Sequence, residues 1–243
     1  MVSNAASGRG LRPFDFIVLD LDGTLVDSLR DLCDSANALV AEYGGRLLDA
    51  DEIARMVGEG ASVLVDRVVW ASGIVVEPAI ALARYLAIYD GRLLRHTRPY
   101  PGIPEFVREA SRDVPLAVLT NKPTAAATPV LEGLGLAQYF REIAGGDGPL
   151  PRKPDPARLF RMIGAANRSP DRTLLVGDSA IDLRTARNAG TRFCYARYGF
   201  GRIRFPEHEI GPCDWVVDSA HELLAVLRGA RPPGMGRGFV TSV

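Results

Sequence analysis

A chain of 243 residues with 29 Lys+Arg balanced by 29 Asp+Glu has no net field to draw it to nucleic acid or to a membrane surface, and neither is an expected partner. Its apolar runs are far shorter than a bilayer span, and no apolar segment of the signal-peptide kind follows its start. Cys33, Cys194 and Cys213 are odd in number and share no metal-ligand spacing, so they read as reduced thiols in a cytoplasmic protein.

Residues 1–12 and 230–243 lack periodicity and are expected to be mobile tails. The first element inside them is Phe16-Ile17-Val18-Leu19, a continuous apolar run of the kind that forms a strand buried on both faces. The run stops at Asp20-Leu21-Asp22-Gly23. Two carboxylates at i, i+2 leave the carboxyl end of the strand together, with a glycine that lets the chain turn sharply. Ligands of open α/β sheets bind at that edge. Like charges so close need a shared proton or a cation, and a divalent metal is the economical choice.

The period then changes. Leu29, Leu32, Cys33, Ala36, Leu39, Val40 and Tyr43 mark a helix, with Ser28 as its N-cap and Gly44-Gly45 at its end. Further helices are expected over 50–57, 61–72 and 78–95, with no strand before Pro99, so 28–97 reads as an all-helical insert. From Gly102 strand and helix alternate. Helices are predicted over 103–110, 123–134, 155–166, 180–189 and 222–227, and strands over 115–119, 142–144, 173–176, 193–196 and 215–217. The fold class is therefore α/β, a parallel Rossmann-like sheet flanked by helices, with the core built from 13–27 and 98–229 and the helical insert as a cap. Right-handed crossovers gather the strand ends on one edge.

Four segments meet there: Asp20/Asp22, Thr120-Asn121-Lys122, Lys153 in a proline-rich loop, and Asp178 with Asp182. The carboxylates suit a hard cation such as Mg²⁺. The lysine, hydroxyl and loop amides suit a phosphoryl group. Taken singly, each residue has a plainer reading: a turn for Asp20 and Asp22, an N-cap for Asp178, a helix-dipole partner for Asp182, and a solvated cation for Lys153.

In their order DLDGTL, LTNK, RKPDP and VGDSAIDLRTARNAG the segments resemble the four motifs of the haloacid dehalogenase-like hydrolases, over roughly 14–228. Five further stretches resemble the bacterial phosphoglycolate phosphatases: Val57-Gly58-Glu59-Gly60-Ala61, Tyr100-Pro101-Gly102, Thr120-Asn121-Lys122-Pro123, Gly145-Gly146-Asp147 and Tyr198-Gly199-Phe200-Gly201. The resemblance implies a Mg²⁺-dependent phosphate monoester hydrolase working through an aspartyl-phosphate, with 2-phosphoglycolate as substrate. It implies Asp20 as nucleophile and Asp22 as general acid and base. Mg²⁺ would be held by Asp20, Asp178 and the backbone carbonyl of Asp22. Lys153 would pair with Asp20 and the phosphoryl group, Thr120 and the Asn121 amide would hold that group, and Asp182 would support the metal water or Lys153. An acid at Asp22 favours phosphate ester cleavage over dehalogenation, because an alkoxide leaves with a proton and a halide does not.

Candidate contacts for the rest of the substrate are Gly58, Glu59, Gly60, Arg67 and Lys122, although Arg67 also reads as an inter-helix salt bridge. Trp70, Tyr85 and Tyr89 read as cap packing. Arg152, Arg202 and Arg204 read as solvated charge, and His96, His208 and His221 have no assigned role. The expected partner is a small phosphorylated metabolite, bound by a monomer or homodimer. The alternatives are another small phosphate ester or pyrophosphate, a phosphomutase of the same fold, and a non-catalytic binding protein.

Overall fold

The computed structural model describes residues 13–229, and the two expected tails lie outside them. The elements, in chain order, are β1 (Phe16–Leu19), β2 (Val26–Asp27), α1 (Leu29–Glu42), α2 (Ala50–Ala54), α3 (Ala61–Ser72), α4 (Pro78–Asp90), β3 (Arg98–Pro99), α5 (Ile103–Ala110), β4 (Leu116–Leu119), α6 (Thr124–Gly133), β5 (Phe140–Ala144), α7 (Ala157–Ala165), β6 (Thr173–Gly177), α8 (Ala180–Ala189), β7 (Arg192–Ala196), β8 (Trp215–Val217) and α9 (Ala220–Leu227).

Six strands form one parallel sheet in the order β5-β4-β1-β6-β7-β8. Strand alternation sorts their side chains into two cores. Ile17, Leu19, Val118 and Val176 pack with Phe106, Val130 and Leu223 on one face. Phe16, Val18, Leu119 and Leu175 pack with Leu159, Met162 and Leu183 on the other. Both faces are covered, which is why the central strands read as unbroken apolar runs. With β1 in the middle, Asp20 emerges at the centre of the carboxyl edge, between the ends of β4 and β6.

Helices α1–α4 pack on one another as a cap joined to the core by two linkers. The linkers pair as a short antiparallel ladder, Val26 opposite Pro99 and Asp27 opposite Arg98. This ladder was not expected; a two-residue strand ending in proline carries no periodicity. Asp31, buried on α1, fastens the return linker by accepting from the Thr97 N–H and hydroxyl and from the His96 N–H at 2.7–3.0 Å.

Several local readings change. Ser28 stands at the N-cap position but makes no side-chain cap bond; its hydroxyl donates to Asp22 instead. Helix α2 stops at Ala54 and α4 at Asp90, short of the periodic segments. Trp70 does not pack in the cap but is 85% exposed on the outside of α3. Arg152 and Arg204 reach across to the cap, Arg152 to the Glu59 carbonyl and the Ser62 hydroxyl and Arg204 to the Arg55 carbonyl, while Arg202 is exposed. All three cysteines are free, and among the described residues no helix is long and apolar enough to cross a membrane.

Candidate active site

The carboxyl edge of the sheet and the inner face of the cap line a cavity of about 70 Å³. From the core, Asp20, Asp22, Thr120, Asn121, Lys122, Asp178 and Ser179 line it; from the cap come Gly58, Gly60, Tyr85 and Tyr89 among apolar side chains. Glu59 and Arg67 are not in the lining. They form an ion pair with each other, and Arg67 also donates to the Met56 carbonyl.

Asp20 leaves β1 and Asp178 leaves β6, so the parallel pairing of those strands brings two carboxylates together across the sheet edge. Asp182 joins them from the first turn of α8. Ligand oxygens of all three lie within 4.8 Å of one another. Lys153 Nζ, wholly buried, lies 2.6 Å from Asp182 Oδ1 and 2.9 Å from Asp20 Oδ1. Asp182 also accepts from the Ser179 N–H and hydroxyl, so the N-cap of α8 is Ser179 rather than Asp178, and one carboxylate serves both the helix and the lysine.

The backbone is built around Asp178. Gly23 has φ +86°, and a Cβ there would stand 1.9 Å from Asp178 Oδ2. The Gly201 N–H donates to that same oxygen at 2.7 Å. A side chain at 23 would displace the carboxylate.

Asp22 stands apart from the acidic cluster. Its carboxylate accepts from Ser28 at 2.5 Å and from Lys122 at 3.0 and 3.2 Å. Lys122 is buried and donates as well to the Tyr89 hydroxyl. Burial pulls Lys122 down, but Asp22 and Tyr89 outweigh it and hold the ammonium above its ordinary value. The Thr120 hydroxyl accepts from the Lys122 N–H at 3.2 Å and keeps its own proton free. Asn121 spends its side-chain N–H groups on the Gly58 and Lys153 carbonyls at 2.9 and 3.0 Å, tying the cap to the core. The amide of Asn121 left for a ligand is therefore the backbone N–H.

One lysine faces three buried carboxylates. Burial raises Asp20 from 3.8 to about 6, with Lys153 opposing and Asp182 adding to the rise. Burial, Asp182 and Asp20 also push Asp178 well above the usual carboxylate range. Asp20 Oδ1, though close to Lys153, accepts no hydrogen bond. Excess buried negative charge, hard oxygen donors and an unsatisfied carboxylate oxygen together fit a divalent cation.

The sign of the pH effect follows. The folded state holds Asp20 protons up to about pH 6, whereas the unfolded state releases them near 3.8. With more protons bound when folded, stability falls as pH rises through that window unless a cation replaces the proton. Melting curves in chelator should show the loss, and Mg²⁺ should raise the melting temperature more at about pH 7 than at about pH 5. An equal rise at both would contradict a cation site on this cluster.

Sequence reasoning missed Ser28, Tyr85, Tyr89 and Gly201 as members of the site. The i, i+4 tyrosines signalled a buried helix face; what that face covers depends on how the cap folds over the core.

A family model described as haloacid dehalogenase-like hydrolase matches residues 17–196. The chain is similar to a phosphoglycolate phosphatase of Rhodospirillum rubrum, 40% identical over 194 residues covering 76% of this chain and 80% of the relative. It is 36% identical over 225 residues to a phosphoglycolate phosphatase, plasmid, of Cupriavidus necator, covering 90% of this chain and 95% of that one. Among solved structures it is similar to a predicted phosphoglycolate phosphatase from Haemophilus somnus 129pt, with a TM-score of 0.83, 30% identity, and coverage of 89% of this chain and 99% of that one.

Proposed function

The chain belongs to the haloacid dehalogenase-like hydrolases, and we propose that it is a Mg²⁺-dependent phosphatase that converts 2-phosphoglycolate to glycolate and phosphate. The observation that carries the reading is the division of labour between the two carboxylates of the β1 edge. Asp20 sits with Lys153, Asp178 and Asp182, while Asp22 is turned aside to Ser28 and Lys122. This division supports a reading in which one carboxylate attacks and the other moves a proton.

In this reading the Asp20 carboxylate attacks phosphorus as the ester oxygen leaves with a proton from Asp22. Asp22, now ionised, takes a proton from the water that attacks the aspartyl-phosphate, releasing phosphate and restoring Asp20. The Thr120 hydroxyl and the Asn121 backbone N–H hold phosphoryl oxygens, and Lys153 offsets their charge. A divalent cation held by Asp20, Asp178 and the Asp22 carbonyl would neutralise charge shared by nucleophile and phosphoryl group. Residues 28–97 act as the cap, closing the cavity against bulk water while the ester is cleaved.

The names of the relatives support the choice of substrate, and the small cavity agrees with it. The test is kcat/KM with Mg²⁺ over 2-phosphoglycolate, ethyl phosphate, glycerol phosphate, hexose phosphates and pyrophosphate. 2-Phosphoglycolate should lead; a value about tenfold higher for another compound would overturn the assignment of substrate.

A further inference from the structure

On the cap side, opposite the acidic cluster, the cavity wall is apolar apart from one group of polar atoms. Leu32, Ala54, Val57, Leu64 and Leu86 line it together with Tyr85 and Tyr89. The two tyrosines follow one another on a single face of α4, with rings 5.9 Å apart and 7° from parallel. Tyr85 is 1% exposed and its hydroxyl has no hydrogen-bond partner. Tyr89 is 3% exposed; its hydroxyl oxygen accepts from Lys122, and among the described residues no acceptor takes its proton. An unpaired buried hydroxyl is costly, and two protons without acceptors on one wall of a ligand cavity mark where a ligand oxygen completes the set.

The charge balance selects the ligand. Lys122 beside the tyrosines carries the positive charge of this end of the cavity, and Asp22, its partner at 3.0 Å, no longer balances that charge when protonated for its acid step. The free capacity includes two O–H donors next to an ammonium. Burial pushes both phenols above their ordinary value, so each keeps its proton and remains a donor. Two phenol protons beside an ammonium match an anionic oxygen pair best, because hydrogen bonds to a charged acceptor are the stronger ones and Lys122 repels a cationic ligand.

We propose that Tyr85 and Tyr89, backed by Lys122, form the seat for the carboxylate of the substrate, at the end of the cavity away from the phosphoryl group. The inference rests on the proposed 2-phosphoglycolate reading, and it assigns that specificity to phenol hydroxyls rather than to the Glu59–Arg67 pair, which lies outside the cavity. Two hydrogen bonds to one carboxylate orient the ester along the line from α4 to Asp20. A substrate with a methyl group at that end leaves both hydroxyls unpaired, a penalty that discriminates strongly in a buried site.

The test compares 2-phosphoglycolate with ethyl phosphate, in which a methyl group replaces the carboxylate, using the full-length Mg²⁺-loaded enzyme and its Tyr85→Phe variant. The wild type should favour 2-phosphoglycolate. Tyr85→Phe should lower the ratio of the two kcat/KM values about 10- to 100-fold, the worth of one hydrogen bond to a charged group, with most of the change in KM for 2-phosphoglycolate. An unchanged ratio in a folded Tyr85→Phe protein would overturn the seat while leaving the substrate assignment intact. A wild type with no preference would overturn the substrate assignment itself. Tyr89→Phe gives the second readout, independent of whether the first variant folds: its ratio should fall similarly, and an unchanged ratio would remove Tyr89 from the seat.

Discussion

Asp20→Asn is expected to lower kcat by about 10⁴-fold or more on every phosphate ester, the scale of loss when a covalent nucleophile is removed. The substitution changes little else. Its side chain keeps the same shape, and the ion pair with Lys153 that it gives up is outweighed by burial and by Asp182, which hold the Asp20 carboxyl above its ordinary value. It removes one of three mutually repelling buried carboxylates and leaves Lys153 paired with Asp182 at 2.6 Å. The variant should therefore melt no lower than the parent in chelator, and Mg²⁺ should stabilise it less. Phosphate release and thermal melting on the same preparation separate the two effects. A folded variant retaining a tenth of the parent rate would remove Asp20 from the nucleophile role.

Lys153→Met is expected to damage both stability and rate. The ammonium is buried between Asp20 and Asp182, and burial alone would pull its pKa down; the two carboxylates outweigh that and hold it protonated. Methionine fills similar space but leaves the carboxylates facing one another. Removing one partner of a buried pair costs about 3–5 kcal/mol, because the remaining charge is stranded. Loss of a cation beside the transferring phosphoryl group should cost a further ~10²–10³-fold in kcat. Asp182→Asn, added to Lys153→Met, removes a stranded charge and should recover part of the melting temperature with no recovery of rate. Full stability in Lys153→Met, or a double variant no more stable than the single one, would show that the pair does not hold the site together.

What sequence could reveal follows from where the constraints act. The central strands β1, β4 and β6 are covered on both faces, so each is a short unbroken apolar run that needs no tertiary information to find. Each ends in a polar residue at the same edge, which is why Asp20, Thr120 and Asp178 were visible as a group. The edge strand β5 was read short, at 142–144, because the charged Arg141 separates Phe140 from the rest of the strand. The β2–β3 ladder at the cap root was invisible, since two paired residues define no period.

The cap half of the site was harder for a different reason. A polar residue there is informative only once its neighbour is known. Ser28 has the residue type and position of an N-cap, and only the folded turn at Gly23 brings Asp22 within reach of its hydroxyl. Tyr85 and Tyr89 have the spacing of packing residues and do pack, but the face they occupy is also the roof of the cavity. Arg152 and Arg204 look like surface charge because their carbonyl partners are on the cap, far away in sequence. Gly58 and Gly60 line the cavity as expected, whereas Glu59 and Arg67, from the same stretch of reasoning, satisfy each other outside it.

Attack on phosphorus by the side chain at position 20 leaves a covalent adduct, and the Asp22→Asn variant is the one in which it should accumulate. With an aryl phosphate the leaving group needs no acid, so the first step should survive, while the second should slow for want of a base at position 22. Acid quenching within one turnover of phosphorus-labelled aryl ester should then trap label on the peptide that contains Asp20, in a linkage cleaved by hydroxylamine. Labelled phosphate appearing with no label on the protein at any time, or label on a different peptide, would contradict it.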